Sequence, residues 1–95
     1  MAVGDVVSDL QTITSGNYLD IRPGAGSEWV IHNIYHADAA HLEVYDGSNS
    51  LIFDADSGPG FWAWYEFHCN NTRRIRVKNT ASGDQLIAYD GVQTK

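Results

Sequence analysis

The chain has 95 residues, a formal net charge of −6 and a pI near 4.8, with 43% hydrophobic and 19% charged residues. A chain this short holds one core, buries about 60–65% of its unfolded surface, and is too apolar and aromatic here to stay disordered, so residues 1–95 are expected to form a single domain. The acidic balance argues against a nucleic-acid partner, the lone Cys69 excludes an internal disulfide, and no run approaches the roughly 18–20 apolar residues that span a bilayer.

The first residues, Met1-Ala2-Val3-Gly4-Asp5, lack the basic and apolar regions of a signal peptide, so synthesis in a cytosol without secretion is expected. Strand-prone runs follow at 6–13, 18–21, 29–35, 42–45, 51–53, 61–69, 73–78 and 86–89. Between them lie turn formers: Ser15-Gly16-Asn17, Pro23-Gly24-Ala25-Gly26-Ser27, Asp46-Gly47-Ser48-Asn49, Asp56-Ser57-Gly58-Pro59-Gly60, Asn70-Asn71 and Ser82-Gly83-Asp84. About seven or eight short strands at this spacing predict an all-β fold, an antiparallel jelly-roll-like sandwich or a flattened barrel. Alternation places Val30, Ile34, Leu42, Val44, Phe67, Ile75 and Val77 inward. The segment His41-Leu42-Glu43-Val44-Tyr45-Asp46-Gly47 is echoed by Gln85-Leu86-Ile87-Ala88-Tyr89-Asp90-Gly91, with Asn33 and Asn79 ahead of each, as two similar hairpins would be.

Chemistry-bearing residues are sparse. His32 and His36 share a strand face but stand about 13 Å apart, too far to ligate one metal. A hairpin through residues 37–40 would bring His36 opposite His41 with Asp38 at its tip; exposed hairpin histidines are the expectation, and no metal or other cofactor is assigned. Asp54 and Asp56 have calcium-loop spacing without the further oxygens or the closing glutamate of such a loop. His68 and Cys69 are adjacent, hence on opposite strand faces, and no nucleophile, phosphate-loop or zinc-protease motif occurs. An enzyme is not expected.

The run Phe61-Trp62-Ala63-Trp64-Tyr65-Glu66-Phe67 holds five aromatic rings in seven residues. Read as one strand, it places Phe61, Tyr65 and Phe67 on one face, and Trp62 and Trp64 on the other. Those two tryptophans need a second buried layer, a protein interface or a sugar to cover them. Four of the six basic residues lie in Arg73-Arg74-Ile75-Arg76-Val77-Lys78, where Arg74, Arg76 and Lys78 share a face. That stripe is either balanced by neighbouring carboxylates or docks on an acidic partner. Trp62, Trp64, Arg74, Arg76 and Lys78 are the candidate interface residues.

Taken in order, Tyr18-Leu19-Asp20-Ile21, Glu28-Trp29-Val30-Ile31-His32-Asn33-Ile34-Tyr35-His36, Tyr45-Asp46-Gly47, Arg74-Ile75-Arg76-Val77-Lys78-Asn79 and the closing Tyr89-Asp90-Gly91-Val92-Gln93-Thr94-Lys95 resemble small virion proteins of tailed bacteriophages. The resemblance spans most of the chain and carries no functional residue across. It implies a β-rich, non-enzymatic, homo-oligomeric structural protein, made in the host bacterial cytoplasm and residing in the virion. A capsid decoration (cement) protein is the leading expectation, bound to the major capsid protein or another virion protein without nucleic acid or membrane. The alternative is a carbohydrate-binding adsorption module of the tail or fibre, with Trp62, Trp64 or Tyr35 as stacking faces for a glycan. A third reading, a small metal-dependent β-barrel enzyme, would require an ion at His36 and His41.

Overall fold

The computed structural model describes residues 2–95. Its strands are β1 (Val6–Ile13), β2 (Tyr18–Ile21), β3 (Glu28–His36), β4 (Ala40–Tyr45), β5 (Ser50–Asp56), β6 (Gly60–Trp62), β7 (Phe67–Asn70), β8 (Arg74–Asn79) and β9 (Gln85–Gln93), and no helix occurs among the described residues. One sheet runs β1-β9-β3-β6, with β7 also on β3; the other runs β2-β8-β4-β5. All the pairings are antiparallel. β6 pairs with residues 34–36 of β3 and β7 with residues 28–31, so the two are halves of one interrupted strand. Counted as one, they complete a long hairpin rolled over itself, in which first pairs with last, second with next to last, and so inward to β4 and β5. That is the jelly roll, an antiparallel double sheet.

The core lies between the inner faces. Leu19, Ile21, Ile31, Ile34, Leu42, Val77 and Ile87 are all but sealed, with Trp29, Trp62, Ile75 and Tyr89 packed around them. Val44 and Phe67 pack against this cluster at its margin. Buried Asn79 secures one corner: its amide donates to the carbonyls of Ile13 and Gly83 at 2.8 Å, and its Oδ1 accepts from the Ala81 backbone and the Gln85 amide. This closes the β8–β9 turn on the end of β1 without leaving its polar atoms bare.

Two expectations about side-chain direction are corrected. Val30 faces outward while Ile31 and Ile34 both face inward, because the β3–β9 register shifts between Ile31 and Asn33. His32 is the extra residue of this β-bulge, and alternation restarts after it. Opposite the bulge sits Gly91, where a Cβ would lie 2.1 Å from the Val30 carbonyl oxygen and 2.8 Å from the Ile31 Cα. The missing side chain lets the two backbones meet. The 61–69 run is likewise not one strand: residues 63–66 leave the sheet, and Trp62 and Phe67, an odd number apart, both point inward.

The supposed repeat does not place equivalent structures. Asp46-Gly47 forms a turn in which Asp46 accepts from the backbones of Ser48 and Asn49, whereas Asp90-Gly91 lies within β9. Asn70, by contrast, closes a polar turn as its sequence suggests, accepting from the backbone N–H groups of Thr72 and Arg73.

Candidate functional site, an aromatic groove on the outer face

The bulge has a consequence on the outer surface. The Tyr65 backbone N–H donates to the His32 carbonyl at 3.3 Å, and the His32 ring Nδ1 lies 3.1 Å from the Tyr65 carbonyl oxygen. These contacts hold the 63–66 segment against β3 by the residue that the bulge adds. Held there, Trp64 adopts φ +67°, a left-handed backbone that a bulky residue rarely takes, and its side chain is 95% exposed. Below it the outer face of the sheet is concave, a groove of about 780 Å³ walled by Tyr35, Phe61, Trp64 and Tyr65.

Polar groups converge within this wall. Asp90 accepts from the Asn33 amide at 2.7 Å and from the Tyr35 hydroxyl at 2.8 Å, one bond to each carboxylate oxygen. The bulge sets Asn33 opposite Asp90 in the ladder, and Tyr35 stands two residues further along β3. The hydrogen bond to Asp90, with a smaller contribution from burial, raises the Tyr35 hydroxyl above its ordinary value, so the phenol stays a donor. Tyr35 also lies 6.4 Å from Phe61, centroid to centroid.

The candidate interface residues separate. Trp62 is 4% exposed, its ring 4.5 Å from that of His36, so it belongs to the core and cannot meet a partner. The reason is register: Trp62 pairs with inward-facing Ile34, and the irregular segment after it carries Trp64, with Tyr65 and Glu66, to the surface. Arg74, Arg76 and Lys78 share the outer face of the other sheet as expected, but the arginines have partners within the chain. Arg74 is buried against Asp20 at 3.2 Å and lies over the Tyr45 ring. Arg76 donates to Glu43 at 3.1 Å, with its guanidinium 3.9 Å from the centroid of Tyr18 and 3.7 Å from that of Tyr45. Lys78 lies 5.7 Å from Tyr18. The two arginines are thus balanced within the chain by Asp20 and Glu43, the first of the two readings of this stripe.

Glu43 is the hub of that face. It is 2% exposed, and burial alone would raise its carboxyl value; hydrogen bonds from His41 and Arg76, the Arg76 charge and a bond from Tyr18 outweigh burial and lower it. Its stabilisation is therefore complete above the ordinary glutamate value of 4.5 and drains away as pH falls through the lower folded value. Denaturation midpoints measured from pH 7 down to pH 3 are expected to fall further for the wild type than for Glu43→Gln. Parallel curves for the two proteins would show that Glu43 is not linked to folding.

The histidine expectation is also corrected. β3 and β4 belong to different sheets, so residues 37–39 cross between layers instead of turning a hairpin. His36 is buried, with Nδ1 against the Asp38 carbonyl at 2.8 Å and Nε2 against Asp56 at 2.9 Å; His41 reaches Glu43 on the outer face at 2.7 Å. Among the described residues, no three His, Cys, Asp or Glu side chains come together as a metal would need. Asp54, the other half of the acidic pair, accepts from the Ala55 backbone. Cys69 is buried, and that burial pushes its thiol up to about 11, which leaves little thiolate at neutral pH.

A second apolar surface lies on the other sheet. β5 is an edge strand paired only with β4, and Leu51, Ile52 and Phe53 stand 65%, 56% and 40% exposed along it. Ring contacts from Phe53 to Phe67 at 5.7 Å and from Phe67 to Tyr65 at 5.0 Å carry this strip around the edge of the sandwich. Set against known proteins, the chain matches no family model and no curated sequence.

Proposed function

We propose that the protein is a non-enzymatic structural component of a tailed-phage virion, a head decoration protein that binds the major capsid protein and homo-oligomerises on the lattice. The observation that carries this reading is the bare apolar edge of β5. Monomeric proteins protect edge strands with lysine, proline or a covering segment, since unpaired backbone groups beside apolar side chains recruit other chains. Here β5 carries a β-bulge at Phe53, but no lysine, proline or covering segment lies over Leu51-Ile52-Phe53 among the described residues. The resemblance of most of the chain to small phage virion proteins agrees with a partner that covers it. A protein that binds only the assembled lattice stabilises it by mass action, by about 2.7 kcal/mol per site at a hundredfold excess over the dissociation constant.

Cosedimentation with purified heads that lack the protein tests this. The purified chain is expected to pellet with them, saturating at a fixed ratio to the capsid protein, and Ile52→Lys is expected to weaken that binding at least about tenfold while remaining folded. Failure of the wild type to bind would overturn the proposal.

A further inference from the structure

The groove beneath Trp64 lies on the other sheet from β5 and meets the apolar strip at Tyr65, and we infer that it binds a neutral glycan, holding a hexopyranose against its aromatic wall and discriminating against acidic sugars. The inference goes beyond head binding and stands or falls separately from it.

Shape comes first. A volume of about 780 Å³ lies inside the ~300–1,000 Å³ range of small-ligand sites, whereas a flat protein contact needs no such hollow. The composition of the wall then selects the ligand. A pyranose has an apolar face of C–H groups and a rim of hydroxyls, so it needs flat aromatic carbon on one side and fixed hydrogen-bonding groups at the edge. Phe61 and Trp64 supply exposed rings, at 64% and 95%, and Tyr35 and Tyr65 supply half-exposed ones. Asp90, already oriented by Asn33 and Tyr35, keeps a further lone pair on each carboxylate oxygen to accept from sugar hydroxyls. Because the protein has fixed this carboxylate in advance, little ordering remains for the ligand to impose.

Charge sets the specificity. Asp90 and Glu66 both line the groove, and the chain carries −6 overall, so a uronate or another carboxylated sugar would bring a third negative charge to two that are already present. Neutral hexoses and N-acetylhexosamines avoid this repulsion. Trp64 itself supplies the strongest sign of use. A tryptophan on a left-handed backbone, nearly all in water, gains nothing for the fold, and such outliers collect at ligand clamps.

The test follows from Trp64 being the one highly exposed tryptophan, with Trp29 at 9% and Trp62 at 4%. Calorimetric titration with oligosaccharides of glucose, galactose and N-acetylglucosamine, and with uronic-acid oligomers of equal length, is expected to show binding by a neutral series and at least about tenfold weaker binding of the acidic one. Bound neutral sugar is expected to shield Trp64 from acrylamide quenching. Trp64→Ala and Phe61→Ala are each expected to lose about tenfold in affinity with unchanged thermal melts. Asp90→Asn keeps the shape and removes the charge, so it is expected to narrow the gap between neutral and acidic sugars. The inference is overturned if no neutral series binds at millimolar concentration, if acidic oligomers bind as well, if Trp64→Ala binds normally, or if purified heads shield Trp64 and sugars do not. Loss of head binding in Ile52→Lys with sugar binding intact would keep the two surfaces distinct.

Discussion

Gly91→Ala is expected to cost roughly 3 kcal/mol or more, a large share of the about 5–15 kcal/mol that holds a small domain together. The new methyl carbon would stand 2.1 Å from the Val30 carbonyl oxygen and within 3.0 Å of two further backbone atoms, none of which can rotate away as a side-chain tip would. Relief requires the β3 and β9 backbones to part where their ladder is bulged. Because the bulge supplies the His32 contacts that hold the 63–66 segment, the damage should spread to the groove, and surviving folded protein should show altered Trp64 emission. Urea denaturation measures the loss directly. A change below about 1 kcal/mol would mean that the strands separate easily and that the bulge is not pinned by Gly91.

The second large effect is a contrast between two tryptophans in one short run. Trp62→Ala removes a sealed side chain from the middle of the core, beside Ile34 and His36, and is expected to cost about 3–5 kcal/mol. Trp64→Ala removes one that is 95% exposed and should fall within about 0.5 kcal/mol of the wild type. Thermal melts of the two variants side by side decide the matter. Equal destabilisation would mean that Trp64 is buried in solution and that the groove does not exist as described.

The fold was legible in the sequence because its turns are strongly marked. The bounds of β1 and β2 coincide with their strand-prone runs, and the remaining runs at 29–35, 42–45, 51–53, 73–78 and 86–89 each fall within a strand or overlap one closely. Alternation failed where strands were irregular. It set Val30 inward because nothing in Ile31-His32-Asn33 announces a bulge, although Gly91, the residue that permits it, stands within an otherwise regular strand pattern. It merged β6 and β7 because residues 63–66 contain no glycine or proline, and Trp64 takes the left-handed turn that glycine would normally mark. It paired His36 with His41 because a short connection reads the same whether it turns within a sheet or crosses between two.

The site was half legible. Excess aromatic residues between positions 61 and 67 pointed to the segment that walls the groove, and Trp64 and Tyr35 were named as possible stacking faces. Asp90 was passed over because Asp-Gly reads as a turn pair, and its partners Asn33 and Tyr35 lie more than fifty positions away in sequence. Only the β3–β9 register brings them together. The arginine stripe was correctly placed on one face, yet its partners Asp20, Glu43, Tyr18 and Tyr45 sit on strands whose neighbourhood the rolled topology alone defines.

Cosedimentation with heads lacking the protein, run in parallel for wild type, Ile52→Lys and Trp64→Ala, tests the central claim most directly. The account predicts saturable binding of the wild type at a fixed ratio to the capsid protein, weakening of at least about tenfold in Ile52→Lys, and near-normal binding of Trp64→Ala. Wild-type protein that stays in the supernatant, or an Ile52→Lys variant that binds as well as the wild type, would contradict it.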